Sequence, residues 1–300
     1  MTKATASALR HRAEAAVGRL PPLLLAAERI AATVAQGIHG RRRVGQGETF
    51  WQFRRYQPGD PTPTIDWRQS GKSDHVYVRQ MEWEAAQSLW LWCDNSPSMA
   101  WRSDKALPSK YERAALLALA LAVLLVRGGE RVAIHGSGHP PMTGVTALDR
   151  LTHLLSRQTD PGKDGGALSY LPLPRFAHLV LVSDFLVSLD DLRTRLEKYA
   201  SRGVSGHLLQ VLDPAEETLP YSGRVRFEGT EGESSWLLSR TEGVRKDYLD
   251  RLELQREGLA SLSRSLGWTI SYHRSDHSPE TALLALYASL AQRTGGPGPC

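Results

Sequence analysis

Three oxygen-bearing side chains follow an apolar run at alternate positions in the stretch LWLWCDNSPSMAW, residues 89–101. They are Asp94, Ser96 and Ser98, and a second carboxylate, Asp184, follows the apolar run LVLVS. Carboxylate and hydroxyl oxygens are the hard donors that Mg²⁺ prefers, and few protein ligands suffice because Mg²⁺ keeps several waters. An Asp-x-Ser-x-Ser match alone is a weak signal, and a polar loop that caps a helix is the alternative explanation.

Both aspartates follow strands of a predicted α/β domain. From residue 87 onward strands alternate with helices, and the strands are SLWLWC, RVAIH, AHLVLVSDF, SGHLLQVLD and GWTISYH. This alternation predicts βαβ units and a doubly wound, mostly parallel sheet with helices on both faces. Ligands of such sheets gather at the carboxyl ends of the strands, where the strand order reverses. Asp94 and Asp184 converge there if their strands are neighbours.

Capping residues mark where the helices between these strands begin. Ser109 with Glu112 predicts a capping box, and Gly128 predicts the end of the same helix. Thr146 and Ser188 are predicted to cap the next two helices. A polar hairpin is expected in GRVRFEG and SSWLLSR, before a long helix over residues 242–266.

The chain divides by composition into four segments: a helical extension over residues 1–38, a Trp-, Arg- and Gly-rich segment over 39–84, the α/β domain over 85–295, and a tail over 296–300 that we expect to be disordered. The extension carries an apolar stripe at helical spacing, which predicts that it docks on the main domain. The stripe consists of Leu24, Ala27, Ile30, Ala31 and Val34.

Cysteine content and the absence of a signal-peptide pattern predict a cytoplasmic protein. Two cysteines form no disulfide framework, and the first twenty residues lack the apolar core of a signal peptide. The longest apolar run, Ala114 to Val126, has thirteen residues, whereas a membrane span needs about 20. The net charge of +5 and the basic turn Arg41–Arg43 permit a nucleic-acid partner. The absence of a recognition-helix or base-stacking motif argues against one.

Several enzyme classes are excluded by their own motifs. The sequence has no Gly-x-x-x-x-Gly-Lys-[Ser/Thr] loop for ATP and no Gly-x-Ser-x-Gly elbow of a serine hydrolase. His135 and His139 are four apart, but glycines at 136 and 138 deny them the helix that a zinc protease needs. A metal-dependent hydrolase that uses Asp94 and Asp184 stays open as an alternative, although no general base is evident.

The motifs resemble a known family. CDNSPSMAW with VSDF resembles the metal-ion-dependent adhesion site of von Willebrand factor type A domains. The upstream segment, GRRRVGQGETFWQFRRYQPGDPTPTIDW, resembles the signature of the domain of unknown function 58 family, and the resemblance covers about residues 38–215. The residues that carry the signature here, with a structural or partner-binding role, are Arg55, Tyr56, Gly59, Asp60, Asp66 and Trp67. Asp60 and Asp66 could be ligands or catalytic acids, but the absence of an evident partner base favours structural roles, with Asp60 in a turn and Asp66 paired to an arginine.

The resemblance implies a von Willebrand type A fold with a short antiparallel edge strand in HPPMTG. It implies Mg²⁺, or Mn²⁺, held by Asp94, Ser96, Ser98 and Asp184 and completed by a partner's carboxylate. It also implies a non-enzymatic protein-binding role beside a MoxR-type AAA+ ATPase or its client. Two departures matter. Pro63 and Thr64 stand where the family usually has arginine, and the candidates for the adhesion site's threonine, which are Thr143, Thr146 and Thr159, lack its usual glycine context. A protein-binding module without a metal is therefore the first alternative.

Overall fold

Five parallel strands form the central sheet of the protein in the computed structural model. The structure describes residues 22–39, 50–56, 65–72, 75–81, 88–157, 168–230 and 235–294. The chain divides into two units: one comprises residues 1–40 and 87–300, and the other residues 41–86. The second unit is thus inserted in the sequence of the first.

The described elements alternate as the sequence predicts. The helices are α1 (Pro22–His39), α2 (Trp67–Ser70), α3 (Lys110–Arg127), α4 (Val145–Arg157), α5 (Leu189–Ala200), α6 (Pro214–Thr218), α7 (Glu242–Ser265) and α8 (Pro279–Thr294). The strands are β1 (Phe50–Arg55), β2 (Tyr77–Met81), β3 (Ser88–Cys93), β4 (Arg131–Ile134), β5 (His178–Ser183), β6 (Ser205–Leu212), β7 (Val225–Phe227), β8 (Trp236–Leu238) and β9 (Thr269–Arg274). A short 3₁₀ turn covers Pro97–Ala100.

The strand order of the main sheet is β4-β3-β5-β6-β9, and all neighbours are parallel. The chain leaves β3 toward β4 and then returns to the other side of β3 with β5, so the order reverses between β3 and β5. Cys93 pairs with Val182 at the ends of these two strands. The doubly wound fold class is confirmed, and its switch point lies where Asp94 and Asp184 follow.

Each face of the sheet is covered by its own helices. Strand residues such as Leu91, Val180 and Val182 pack on one face with α1, α3, α4 and α8. Leu179, Leu181 and other alternate residues pack on the opposite face with α5 and α7. The apolar stripe of α1 is buried in the first of these cores, at Leu24, Ala27, Ile30, Ala31 and Val34.

Close packing at the second face requires a glycine in β6. Gly206 lies against the indole of Trp268, and a Cβ atom added to Gly206 would be 1.9 Å from Trp268 Cε3. Trp268 is itself buried and donates from its Nε1 to Val204 O at 3.1 Å. Because Trp268 is buried and its indole is held by this hydrogen bond, the ring cannot easily move away, and position 206 has no room for a side chain.

The helix boundaries confirm most of the predicted caps. Ser109 and Glu112 form the capping box of α3, and the Ser188 side chain accepts from Asp191 N at the start of α5. The prediction that Thr146 caps its helix is wrong, because α4 already begins at Val145 and Thr146 lies inside its first turn. Of the edge strand expected in HPPMTG, the structure has a single antiparallel bridge between Met142 and Val132.

The inserted unit contains a small antiparallel pair of strands, β1 and β2. Asp66 begins α2, and its Oδ1 accepts a hydrogen bond from Gln69 N at 2.9 Å. This N-cap is a local structural role, which Asp is well suited to fill. The predicted tail over 296–300 and the first 21 residues lie outside the described residues.

Candidate functional site

The four predicted metal ligands meet at the carboxyl edge of the sheet. Asp94 N–H donates to Val182 O at 2.9 Å, which fixes the loop after β3 against β5. Ser98 Oγ donates to Asp184 Oδ2 at 2.8 Å, and the hydroxyls of Ser96 and Ser98 are 3.1 Å apart. Ser96 N–H donates to Asp94 Oδ1 at 2.8 Å. Asp94, Ser96, Ser98 and Asp184 therefore form one hydrogen-bonded chain, which we call the switch-point cluster.

Asp94 is buried and held on both of its carboxylate oxygens. Its Oδ2 accepts from Ser183 Oγ at 2.6 Å, in addition to the contact of Oδ1 with Ser96 N. Burial raises the pKa of Asp94, the hydrogen bonds from Ser183 and Ser96 lower it, and the charge of Asp184 raises it; the net direction is upward. The shift follows from a carboxyl group that lies away from water beside a second one.

A lysine that the sequence interpretation overlooked lies against this cluster. Lys110 is the first residue of α3, and only 1% of its surface is exposed. Its Nζ donates to Asp184 Oδ2 at 2.8 Å, the same oxygen that Ser98 contacts, and to Glu216 Oε1 at 2.5 Å. Burial alone would lower the pKa of Lys110, but the charges of Asp184 and Glu216 outweigh it and raise that pKa. The lysine is thus an ammonium at neutral pH.

The end of a third strand, β6, also contributes to the site. Asp213 follows β6, is fully buried, and accepts from Ser103 N at 3.0 Å and from Ala215 N at 2.8 Å. Asp213 and Glu216 form a capping box at the start of α6, and this places Glu216 within reach of Lys110. Burial raises the pKa of Glu216, and the ammonium of Lys110 lowers it again in part.

The position of Lys110 decides whether a resident Mg²⁺ would fit the switch-point cluster. An ion at about 2.1 Å from Asp184 Oδ2 would lie within roughly 5 Å of Lys110 Nζ, which is 2.8 Å from the same oxygen. The repulsion between a divalent ion and an ammonium at that separation is about 7 kcal/mol at an effective dielectric constant of about 20. Among the described residues, no group of three or more His, Cys, Asp or Glu side chains could hold a metal. With Lys110 in this position, the residues do not fit the metal.

The loop after β5 is held firmly and exposes apolar side chains. Phe185 has φ 49°, a left-handed conformation that is strained for a side chain of this size, and the residue is only 2% exposed. Gln255 Nε2 of α7 donates to Phe185 O and to Val187 O, each at 2.9 Å. Leu186 and Val187 are nevertheless 45% and 50% exposed. The loop thus presents two apolar side chains directly beside the buried switch-point cluster.

The signature residues that the structure describes in the inserted unit are Arg55, Tyr56, Asp66 and Trp67, and three of these four are exposed. Trp67 is 68% exposed, and Arg55 and Tyr56 are exposed as well. Tyr56 N–H donates to Val76 O at 2.8 Å, which continues the pairing beyond β1. Gly59 and Asp60 lie outside the described residues. Trp67 is therefore exposed to solvent, whereas Asp66 caps a helix.

Fold and site together define an α/β domain with a parallel five-stranded sheet, whose switch-point loops hold a buried acidic cluster around one lysine. The chain belongs to the family described as Protein of unknown function DUF58, whose family model matches residues 52–258.

Relatives and solved structures of similar sequence or shape are known. Uncharacterized proteins of Mycobacterium bovis and Mycobacterium tuberculosis are each 27% identical over 298 residues, which covers 92% of this chain and 93% of theirs. The conserved hypothetical protein BatB from Bacteroides thetaiotaomicron matches 70% of this chain and 100% of its own, at 14% identity and a TM-score of 0.37. An aerotolerance-related membrane protein from Bacteroides fragilis matches 69% of this chain and 99% of its own, at 16% identity and a TM-score of 0.38.

None of the helices in the described part of the chain combines the length and the apolar character needed to cross a bilayer.

Proposed function

We propose that the chain is a non-enzymatic protein-binding module whose partner contacts the carboxyl edge of the main sheet through Leu186 and Val187. The observation that carries the proposal is the loop after β5, which is held by Gln255 and by the buried Phe185 while it exposes both apolar side chains. Exposed apolar groups on an ordered backbone favour binding, because water is released and little conformational entropy is lost.

A second apolar element leaves the same edge of the sheet. After β6 and α6 the chain forms the hairpin of β7 and β8, in which Trp236 and Leu237 are largely exposed. Large aromatic side chains of this kind are common anchors of protein interfaces. The hairpin supports a protein partner rather than a small ligand at this edge.

The partner contact is proposed to need no metal. The only cation within hydrogen-bond distance of Asp184 among the described residues is the Lys110 ammonium, which is buried and cannot be reached by a partner's carboxylate. This favours the metal-free alternative over a carboxylate bridged by Mg²⁺. A MoxR-type AAA+ ATPase or its client as partner, and a cytoplasmic location, are the finer parts of the proposal and come from the family resemblance.

The test is a binding measurement with a purified, nucleotide-free MoxR-type ATPase from the same organism. We expect the wild-type chain to bind equally in Mg²⁺ and in EDTA, and the double variant Leu186→Asp, Val187→Asp to bind at least about tenfold more weakly, since two desolvated apolar contacts are replaced by charges. Phe176→Asp is the matched control, because Phe176 is 70% exposed and precedes β5 at the opposite edge of the sheet.

Two results would contradict the proposal. Binding that persists unchanged in the double variant would show that the loop after β5 is not the surface. Binding that disappears in EDTA would favour the metal-dependent version of the site. Circular dichroism of each variant establishes that the fold is retained before the affinities are compared.

A further inference from the structure

The cation of the switch-point cluster is part of the chain itself. Lys110 Nζ and Ser98 Oγ both lie 2.8 Å from Asp184 Oδ2, and Ser98 continues through Ser96 to Asp94. The ammonium therefore contacts Asp184 directly, and Asp184 links it through hydrogen bonds to the other three side chains that a magnesium ion would be expected to join. The second neighbour of Lys110 Nζ, Glu216, follows the end of the next strand, β6, and brings a second negative charge to the same nitrogen.

The position of the ammonium is fixed by the fold rather than by a flexible side chain. Lys110 follows the Ser109 cap of α3, and α3 is buried along most of its length against β3 and its neighbours. Both acceptors are also held, Asp184 by Leu186 N at 3.2 Å and Glu216 by Asp213 N at 2.9 Å. Moving the Lys110 ammonium away from Asp184 and Glu216 is unfavourable, because two buried carboxylates would then lack a counter-ion.

We infer that Lys110 is the built-in cation of this site, that it takes the place of a divalent metal ion, and that the site gains affinity for Mg²⁺ or Mn²⁺ only when Lys110 is removed. The remaining oxygens suit such an ion, because carboxylates and hydroxyls are its preferred ligands. Lys110 is thus a positioning residue that joins the segments after β5 and β6 directly, and the loop after β3 through Asp184 and Ser98.

The test measures Mn²⁺ alone, by the loss of its free electron paramagnetic resonance signal, and involves no partner. It can therefore fail independently of the proposed protein-binding function. The wild-type chain is expected to show no saturable Mn²⁺ binding at millimolar concentrations. Lys110→Ala is expected to bind Mn²⁺ at least about tenfold more tightly and to unfold at a higher temperature in Mg²⁺ than in EDTA, since ligands that bind the folded state stabilise it. Lys246→Ala, which removes an exposed lysine from α7, is the control and is expected to behave as the wild type.

A second variant covers the case in which Lys110→Ala does not fold. Lys110→Met with Glu216→Gln removes one positive and one negative charge together, and it is expected to show the same gain in Mn²⁺ affinity. Saturable Mn²⁺ binding by the wild type that Asp94→Asn weakens would overturn the inference. So would a folded Lys110 variant that binds Mn²⁺ no better than the wild type.

Discussion

Lys110 brings one positive charge to a site where four carboxyl groups are largely buried. These carboxyl groups belong to Asp94, Asp184, Asp213 and Glu216. Removing one partner of a buried ion pair typically lowers the free energy of unfolding by about 3–5 kcal/mol, because the charge that remains has neither water nor a counter-ion. Hydrogen bonds from backbone N–H groups satisfy most of the remaining oxygens, as at Asp94 and Asp213. The stability of this site thus depends on a few side chains that are joined by hydrogen bonds and ion pairs.

A second buried ionisable residue predicts how the stability changes with pH. His273 of β9 is buried, and its Nε2 is among the described side-chain atoms without a hydrogen-bond partner. The pKa of His273 is lowered from 6.5 to about 4: burial is the largest cause, the nearby Arg113 and His277 contribute in the same direction, and Asp276 opposes them in part. The unfolded chain therefore takes up a proton on this residue at a higher pH than the folded chain does.

Between pH 6.5 and pH 4 the folded state should accordingly lose stability through His273. Linkage predicts that the free energy of unfolding falls by about 2 kcal/mol from pH 7 to pH 5 on account of this residue. Urea denaturation of His273→Gln at both pH values should show a fall that is smaller by this amount. His153→Gln, at an exposed position of α4, is the control. An unchanged fall in His273→Gln would contradict the assignment.

At the scale of elements, loops after three neighbouring strands build the site, and close packing holds those strands in register. β6 stands between β5 and β9, and Gly206 lets Trp268 approach its backbone. The same strand supplies Gln210, which donates to Asp184 O at 2.8 Å. The packing on one face and the site at the carboxyl edge therefore share one strand.

Gly206→Ala is expected to destabilise the protein by about 1–3 kcal/mol or more, because the new methyl group would overlap the buried indole of Trp268. Thermal or urea unfolding gives the magnitude. The matched control is Gly243→Ala in α7, where a Cβ atom meets nothing within 4 Å. That change should be neutral or stabilising by up to about 1 kcal/mol, since alanine favours helix more than glycine does. Equal effects of the two changes would contradict the packing argument.

The elements of the main unit could be predicted from the sequence, because apolar runs and capping residues act locally. The convergence of Asp94 and Asp184 followed from strand ends at a switch point. Lys110 and Glu216 were missed because a lysine in the first turn of a helix ordinarily faces water, and its burial depends on residues 74 and 106 positions away. A signal was present in LLQVLDPAEE, a third strand run that ends in carboxylates beside the other two.

At the scale of the whole molecule, the main unit is discontinuous in sequence. α1 precedes the inserted residues 41–86, yet its apolar stripe packs into the same core as α3 and α8. The chain must therefore close a loop of some length before α1 can dock. Loop closure lowers the conformational entropy of the chain, so the free energy gained by burying the apolar stripe of α1 has to offset that cost.

Truncation of the α1 stripe tests this contribution. Ile30→Ala is expected to lower the free energy of unfolding by about 2–5 kcal/mol, since Ile30 is buried in the core and the change leaves a cavity. Thr33→Ala, on the exposed face of the same helix, is the control and should change the stability by less than about 0.5 kcal/mol. Urea denaturation followed by circular dichroism measures both. A small effect of Ile30→Ala would mean that α1 docks without stabilising the main unit.

The lysine at the switch point has a consequence for how such a site is filled. A metal site is loaded in proportion to the free concentration of its ion, and it empties when that ion becomes scarce. The ammonium of Lys110 is covalently attached to α3, so the fraction of sites that contain it does not depend on any ion concentration. It is in place whenever the polypeptide is folded. The carboxyl edge of this sheet would then stay assembled through changes in cellular magnesium or manganese, and its availability would follow the amount of folded protein alone.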